Sequence, residues 1–137
     1  MKLGILGTLS LAIMLISQIS FAETVKIGFV TTLTGGAGAI GNDMRDAVEL
    51  ALDHLGRKMG ESNVKVFYED DTFKPAVGKQ KTEKLVKKDK VHFVGGYIWS
   101  HVLMASRNSV VGKGPFMISS NAGPGPVAGK LCHEDFF

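Results

Sequence analysis

Four short apolar runs, three of them followed by helical periodicity, constrain this chain more than any other feature. Residues 24–30 contain Val25-Lys26-Ile27-Gly28-Phe29-Val30, rich in β-branched side chains, as a buried parallel strand requires. Val64 to Tyr68, His92 to Gly95 and Pro115 to Ile118 are the other strand candidates. Between the first two lies a glycine-rich loop, residues 31–41, then a helix that Asn42 or Asp43 is placed to cap. Its apolar positions Met44, Ala47, Val48, Ala51 and Leu55 follow the i, i+3, i+4 rule, with Asp46, Glu49 and Asp53 off that stripe. Gly60 to Asn63 reads as a turn. Pro75 suits the first turn of a second helix running to about Lys88, with Asp71 or Thr72 as its cap. A third helix is predicted from Trp99 to Val111, and the Gly- and Pro-rich tail from Ser119 reads as irregular.

Strand and helix in this alternation predict an α/β fold, a parallel sheet with right-handed crossovers and helices on both faces. With strand order 2-1-3-4, the topological switch lies between the first and third strands, at their carboxyl ends. The loops 31–41 and 96–100 then face one crevice.

The first 22 residues carry a different signal. Lys2 precedes an apolar run from residue 4 to 16, and Ser20 and Ala22 put small side chains where a signal peptidase cuts. The run falls short of the ~20 residues that span a bilayer, and Ser17, Gln18 and Ser20 close it. Residues 1–22 therefore read as a secretory signal peptide, and residues 23–137 as the exported part. No Cys follows the cleavage site, so a soluble periplasmic protein without a lipid anchor is expected. The chain ends on Asp135-Phe136-Phe137, apolar where termini are usually polar, and reads as the first part of a longer protein.

Charge and cysteine content argue against several partners. Removing the leader lowers the net charge from +3 to +2, and the seven lysines between residues 74 and 90 have no aromatic residues interleaved. That pattern is a solvated helix face, so no nucleic-acid partner is expected. Cys132 has no second cysteine to pair with in this chain. Cys132-His133 lacks metal-ligand spacing, and His54, His92 and His101 form no recognisable motif, so no metal is expected.

The crevice loops hold the candidate binding residues. Ser100 stands where strand gives way to helix, and its hydroxyl can either cap that helix or meet a ligand oxygen. Unpaired backbone N–H groups at such a helix start suit a carboxylate. Tyr97 and Trp99 flank Ser100 and are placed to wall an apolar pocket, with a core position as the alternative for Trp99. Gly36-Ala37-Gly38-Ala39-Ile40-Gly41 matches G-x-G-x-x-G, but Thr31 to Gly35 separate it from the strand. Glu69, Asp70 and Asp71 also fall late for a ribose-binding acid, so no dinucleotide cofactor is expected. No G-x-S-x-G surrounds Ser100, and the chain is not expected to be an enzyme.

These elements together resemble the periplasmic binding proteins of branched-chain amino acid ABC importers, the leucine-binding type. The resemblance rests on Ile27 to Gly36, on Tyr68-Glu69-Asp70-Asp71 with Pro75, and on Gly95-Gly96-Tyr97-Ile98-Trp99-Ser100. It continues through Ile118-Ser119-Ser120-Asn121-Ala122-Gly123-Pro124, Ala128-Gly129-Lys130 and Cys132. It implies a two-lobed protein closing on a small solute, with residues 23–137 as the N-terminal part of the first lobe. In that family the first lobe holds the ligand's carboxylate through a Ser at the Ser100 position and through the segment matching Asn121, Ala122 and Gly123. Gly36 joins this set from the first loop; the family often has Thr where Gly123 stands, so here only a backbone amide is offered.

The stretches around Trp99 and Asn121 look more like relatives that take aromatic or other organic acids. The partners implied are a small-molecule solute and the membrane permease of an importer, with the binding protein a monomer. A receptor ectodomain of the same fold and an NAD-dependent enzyme are the other function classes considered. Cleavage after Ala22 predicts an exported protein that begins at Glu23, which mass spectrometry of the secreted form checks; a retained Met1 would refute it.

Overall fold

The computed structural model describes residues 23–137; the expected signal peptide, residues 1–22, lies outside the described residues. The elements are β1 (Val25–Thr31), α1 (Gly38–His54), β2 (Lys58–Met59), β3 (Ser62–Asp70), α2 (Pro75–Lys84), β4 (Phe93–Gly95), α3 (Ser100–Arg107) and β5 (Phe116–Ile118). A π-helical turn, Leu85–Asp89, extends α2, and a 3-10 turn spans Gly125–Ala128. The sheet runs β2-β3-β1-β4-β5. β3, β1, β4 and β5 are mutually parallel, which is the 2-1-3-4 order on which the placement of the switch point is conditional.

Alternation along β1 assigns the two faces. A Cβ at Gly28 would stand 2.7 Å from Leu85 Cδ1, so the end of the second helix presses directly on the strand there. Val30 shares that face and joins Leu85, Val94, Val102, Leu103 and Met117 in the core. Ile27 and Phe29 point the other way and, with Val48 of α1 and Phe93, line a cavity of about 280 Å³. Helices therefore cover both faces, unequally: among the described residues α1 is the one helix on its side, where Phe116 and Ile118 remain 41% and 44% exposed.

Four expectations need correction. α1 starts at Gly38, a turn before the expected caps, so Asn42 lies inside the helix and donates its amide to the carbonyls of Leu33 (3.0 Å) and Gly38 (2.8 Å). The glycines explain the early start, because a Cβ at Gly41 would come within 1.9 Å of Thr32 O. The buried stripe shifts accordingly: Leu52 is buried, whereas Ala47, Ala51 and Leu55 are exposed. The N-cap of α2 is Lys74, without a side-chain cap, and neither Asp71 nor Thr72 fills that role. α3 ends at Arg107 and turns lead on to Gly112, so the third helix is shorter than predicted.

Two pieces of sheet lay beyond the sequence pattern. β2 pairs antiparallel with the start of β3 (Lys58 with Asn63, Met59 with Ser62) through a two-residue turn whose first residue, Gly60, has φ +60. Residues 135–137, in the tail expected to be irregular, run along β5. Met117 N donates to Asp135 O (2.7 Å), Phe137 N to Met117 O (2.8 Å) and Ser119 N to Phe137 O (2.8 Å). These bonds shield backbone groups that an edge strand would leave open.

The packing of α1 gives a direct test. By helix propensity alone, Gly41→Ala would gain about 1 kcal/mol. The clash with Thr32 O is with backbone, so overpacking should win and the variant should lose about 2–3 kcal/mol in denaturant unfolding. Gly36→Ala, which meets nothing within 4 Å, should stay within about 0.5 kcal/mol of the parent.

Candidate functional site

β1 and β3 end side by side, Thr31 in register with Asp70, and the next few residues knit the carboxyl end of the sheet. Asp70 Oδ1 accepts from Leu33 N (2.9 Å) and Thr72 N (2.8 Å), and its Oδ2 accepts from the Thr34 hydroxyl (2.5 Å). Asp71 Oδ1 accepts from the Thr32 hydroxyl (2.6 Å) and from Phe73 N (2.8 Å). Thr32 Oγ1 in turn accepts from Trp99 Nε1 at 2.9 Å, which joins the loops after β1, β3 and β4. The loop after β5 is tied in by Asn121 Nδ2, which donates to Ile98 O (2.9 Å), and by Ala122 N, which donates to Tyr97 O (3.2 Å). The two loops expected to share a crevice therefore touch.

Ser100 is the first residue of α3, exposed, and its side chain makes no capping bond; the N-cap is Trp99. Val102 N and Leu103 N both donate to Trp99 O, at 3.1 and 3.0 Å. The amides of Ser100 and His101 precede the first intrahelical bond and have no partner in the helix. Trp99 is half-buried, its indole fixed by Thr32. Gly36 is exposed in the first loop, and Gly123 is exposed beyond β5.

Tyr97 does not wall the crevice. It is fully buried, and its hydroxyl shares a 2.6 Å hydrogen bond with Thr82 of α2. Burial pushes its phenol well above the ordinary range. The chain leaves β4 through Gly96 at φ +95, against the Phe29 ring, and that turn sends Tyr97 into the core. Two further expectations change in kind. The Ala122 amide is already engaged with Tyr97 O, and the Asn121 side chain with Ile98 O, so both shape the loop from within. The G-x-G-x-x-G letters also have a structural use, since Gly38 and Gly41 let α1 approach the carbonyls of Leu33 and Thr32.

Two features escaped the sequence reading. The Asp70-Asp71 pair reads in the sequence only as a candidate cap and as acids set too late for a ribose, because polarity alone does not say which loop it binds. Phe73 carried no signal, yet it has φ +64, follows Thr72 at φ +49, and is 47% exposed. Its ring meets Trp99 edge-on, with centroids 4.8 Å apart at 90°, and His101 at 5.0 Å and 81°.

Comparison with known proteins adds relatives to this geometry. A family model described as periplasmic binding protein matches residues 24–137. A Leu/Ile/Val-binding protein, BraC3, from Rhizobium johnstonii is 28% identical over 114 residues, 79% of this chain and 31% of the relative. An ABC transporter substrate-binding protein from Sphaerobacter thermophilus superposes with TM-score 0.78 at 29% identity, over 84% of this chain and 32% of that one. A solute-binding protein of an ABC transporter from R. palustris, solved with benzoate, shares the fold with TM-score 0.78 at 24% identity, over 84% of this chain and 32% of its own. The chain thus spans about a third of the length of these relatives.

Asp70 makes the loop cluster sensitive to acid. Burial pushes its carboxyl up, but the hydrogen bonds from the Thr34 hydroxyl and the Leu33 and Thr72 amides outweigh it and hold the pKa below the usual aspartate value. A carboxyl depressed on folding stabilises above its unfolded pKa and loses that contribution as pH falls through the folded one. Unfolding midpoints should therefore drop below about pH 4. Asp70→Asn should be less stable than the parent at pH 7 and lose less on going to pH 3; an equal loss in both proteins would remove Asp70 from the acid response.

Proposed function

Since the chain belongs to the periplasmic binding protein family, we propose that the protein is the solute-binding component of an ABC importer, working outside the cytoplasm and capturing a small carboxylate-bearing solute. The observation that carries this reading is the state of Ser100. Its hydroxyl is exposed and caps nothing, at the start of a helix whose first two amides lack intrahelical partners. A carboxylate there would take hydrogen bonds from the hydroxyl and from the amides of Ser100 and His101, favoured by the positive end of the helix dipole. Gly123, beyond β5, offers a further amide from an exposed position.

Trp99 supplies the apolar side of this site. Its indole is fixed through Nε1 to Thr32 Oγ1, and the half-buried ring packs against the edge of the core. The described residues then form one wall of a cleft. The remaining length present in the relatives would supply the opposite wall, and closure by hinge motion would trap the solute before docking on a membrane permease. Branched-chain amino acids and aromatic acids are the candidate solutes, in line with the names of the relatives.

Trp99 is the only tryptophan among these 137 residues, and in the full-length protein, with both walls of the cleft present, the emission that a Trp99→Phe variant lacks reports on the proposed site. Titration with L-leucine, L-phenylalanine and benzoate should move that emission saturably for at least one of them. Ser100→Ala should weaken the responding ligand about tenfold or more, the size expected for a hydrogen bond to a charged group. Unchanged affinity would take Ser100 out of the site, and no response to any carboxylate would count against solute capture.

A further inference from the structure

Resting on the solute-binding reading, we infer that Phe73 is a positioning residue that sets the ligand class. Its ring holds the rings of Trp99 and His101, the residues that flank Ser100 in the chain, as an aromatic cluster at the start of α3, selecting carboxylates with a flat aromatic body over aliphatic ones.

The backbone first marks this residue out. Thr72 and Phe73 are consecutive non-glycine residues at positive φ, +49 and +64. For a bulky side chain that conformation is an outlier, and it persists only where the surroundings over-determine it. Here they do: Asp70 Oδ1 takes Thr72 N and Asp71 Oδ1 takes Phe73 N, each at 2.8 Å. Core burial is not the return for this arrangement, since the ring is 47% exposed. What the conformation achieves is placement of that ring.

The placement is specific. Phe73 meets Trp99 and His101 edge-on, at interplanar angles of 90° and 81°. Trp99 and His101 are themselves inclined by only 31°, with centroids 6.4 Å apart. Ser100 lies between them in the chain, at the first turn of α3. The indole is thus held at two points, its Nε1 by Thr32 and its ring by Phe73. A carboxylate at Ser100 that carries an aromatic ring extends this edge-to-face set, whereas an aliphatic ring of the same size gains only contact area.

Benzoate and cyclohexanecarboxylate isolate the effect, because they share the carboxylate and the six-carbon ring and differ in the π system. Both are titrated into the protein by Trp99 emission and by calorimetry. The parent should favour benzoate on the order of threefold to tenfold. Phe73→Gly accepts the positive φ and keeps the backbone amide for Asp71, so its thermal midpoint should hold. In that variant the benzoate preference should fall to about one while both ligands still bind, and Phe73→Tyr should restore the preference. Equal weakening of both ligands, or an unchanged ratio, would overturn the inference and leave Phe73 a merely structural part. A parent that binds both equally would overturn it while leaving solute capture intact. A parent that binds neither, nor any other carboxylate, would overturn the solute-binding reading and this inference with it.

Discussion

The adjacent carboxylates of Asp70 and Asp71 take five hydrogen bonds between them, three from the loop after β1 and two from their own turn. Hydrogen bonds to an ionised group are worth about 1.5–3 kcal/mol each where solvent is partly excluded, and linked bonds reinforce one another. The third loop depends on the same pair at one remove. Asp71 accepts the Thr32 hydroxyl proton, which leaves Thr32 Oγ1 free to accept from the Trp99 indole. Without Asp71 the orientation of that hydroxyl would be undetermined and the indole would lose its anchor. Asp71 is fully buried, so its desolvation is a standing cost that these bonds must offset.

The sheet beneath makes the loops meet. Gly28 lets Leu85 press on β1 from one face, and Gly41 lets α1 lie against Thr32 from the other. Each glycine removes a side chain where a second element must touch backbone. The result is a well-filled layer under α2 and α3, holding Tyr97, Leu103 and Val110, and a thinner one under α1. On that thinner side Phe93 stacks on Phe116 at 5.9 Å and 27°, and Phe116 meets Phe137 at 6.1 Å. An apolar band therefore crosses the sheet beside the cavity.

Much of the fold was legible because its signals are local. The β-branched runs, the 3.6-residue stripes and Pro75 each act over a few residues, whereas the order 2-1-3-4 is a premise that handed connections allow and the sheet bears out. Errors gathered where a distant element overrides the local rule. Asn42 has the chemistry of a cap, but the close approach of Thr32 lets the helix begin a turn earlier, at Gly38. β2 is two residues long, too short for any period to register.

The candidate site divides the same way. Ser100 at the first position of α3, Trp99 just before it and Gly36 in the first loop stand at or near element boundaries that the local pattern identifies. Tyr97 differs from Trp99 only in which way the chain turns after Gly96, and no periodicity records that turn. By itself, then, the sequence determined the alternation of elements and the end of the sheet where the loops gather, because these depend on neighbours in the chain. Only the tertiary structure decided which side chains are buried, which amides are already engaged, and that two aspartates tie the loops together while Phe73, at positive φ, packs against Trp99 and His101. Those outcomes depend on contacts between residues tens of positions apart, where burial and hydrogen bonding outweigh local preference.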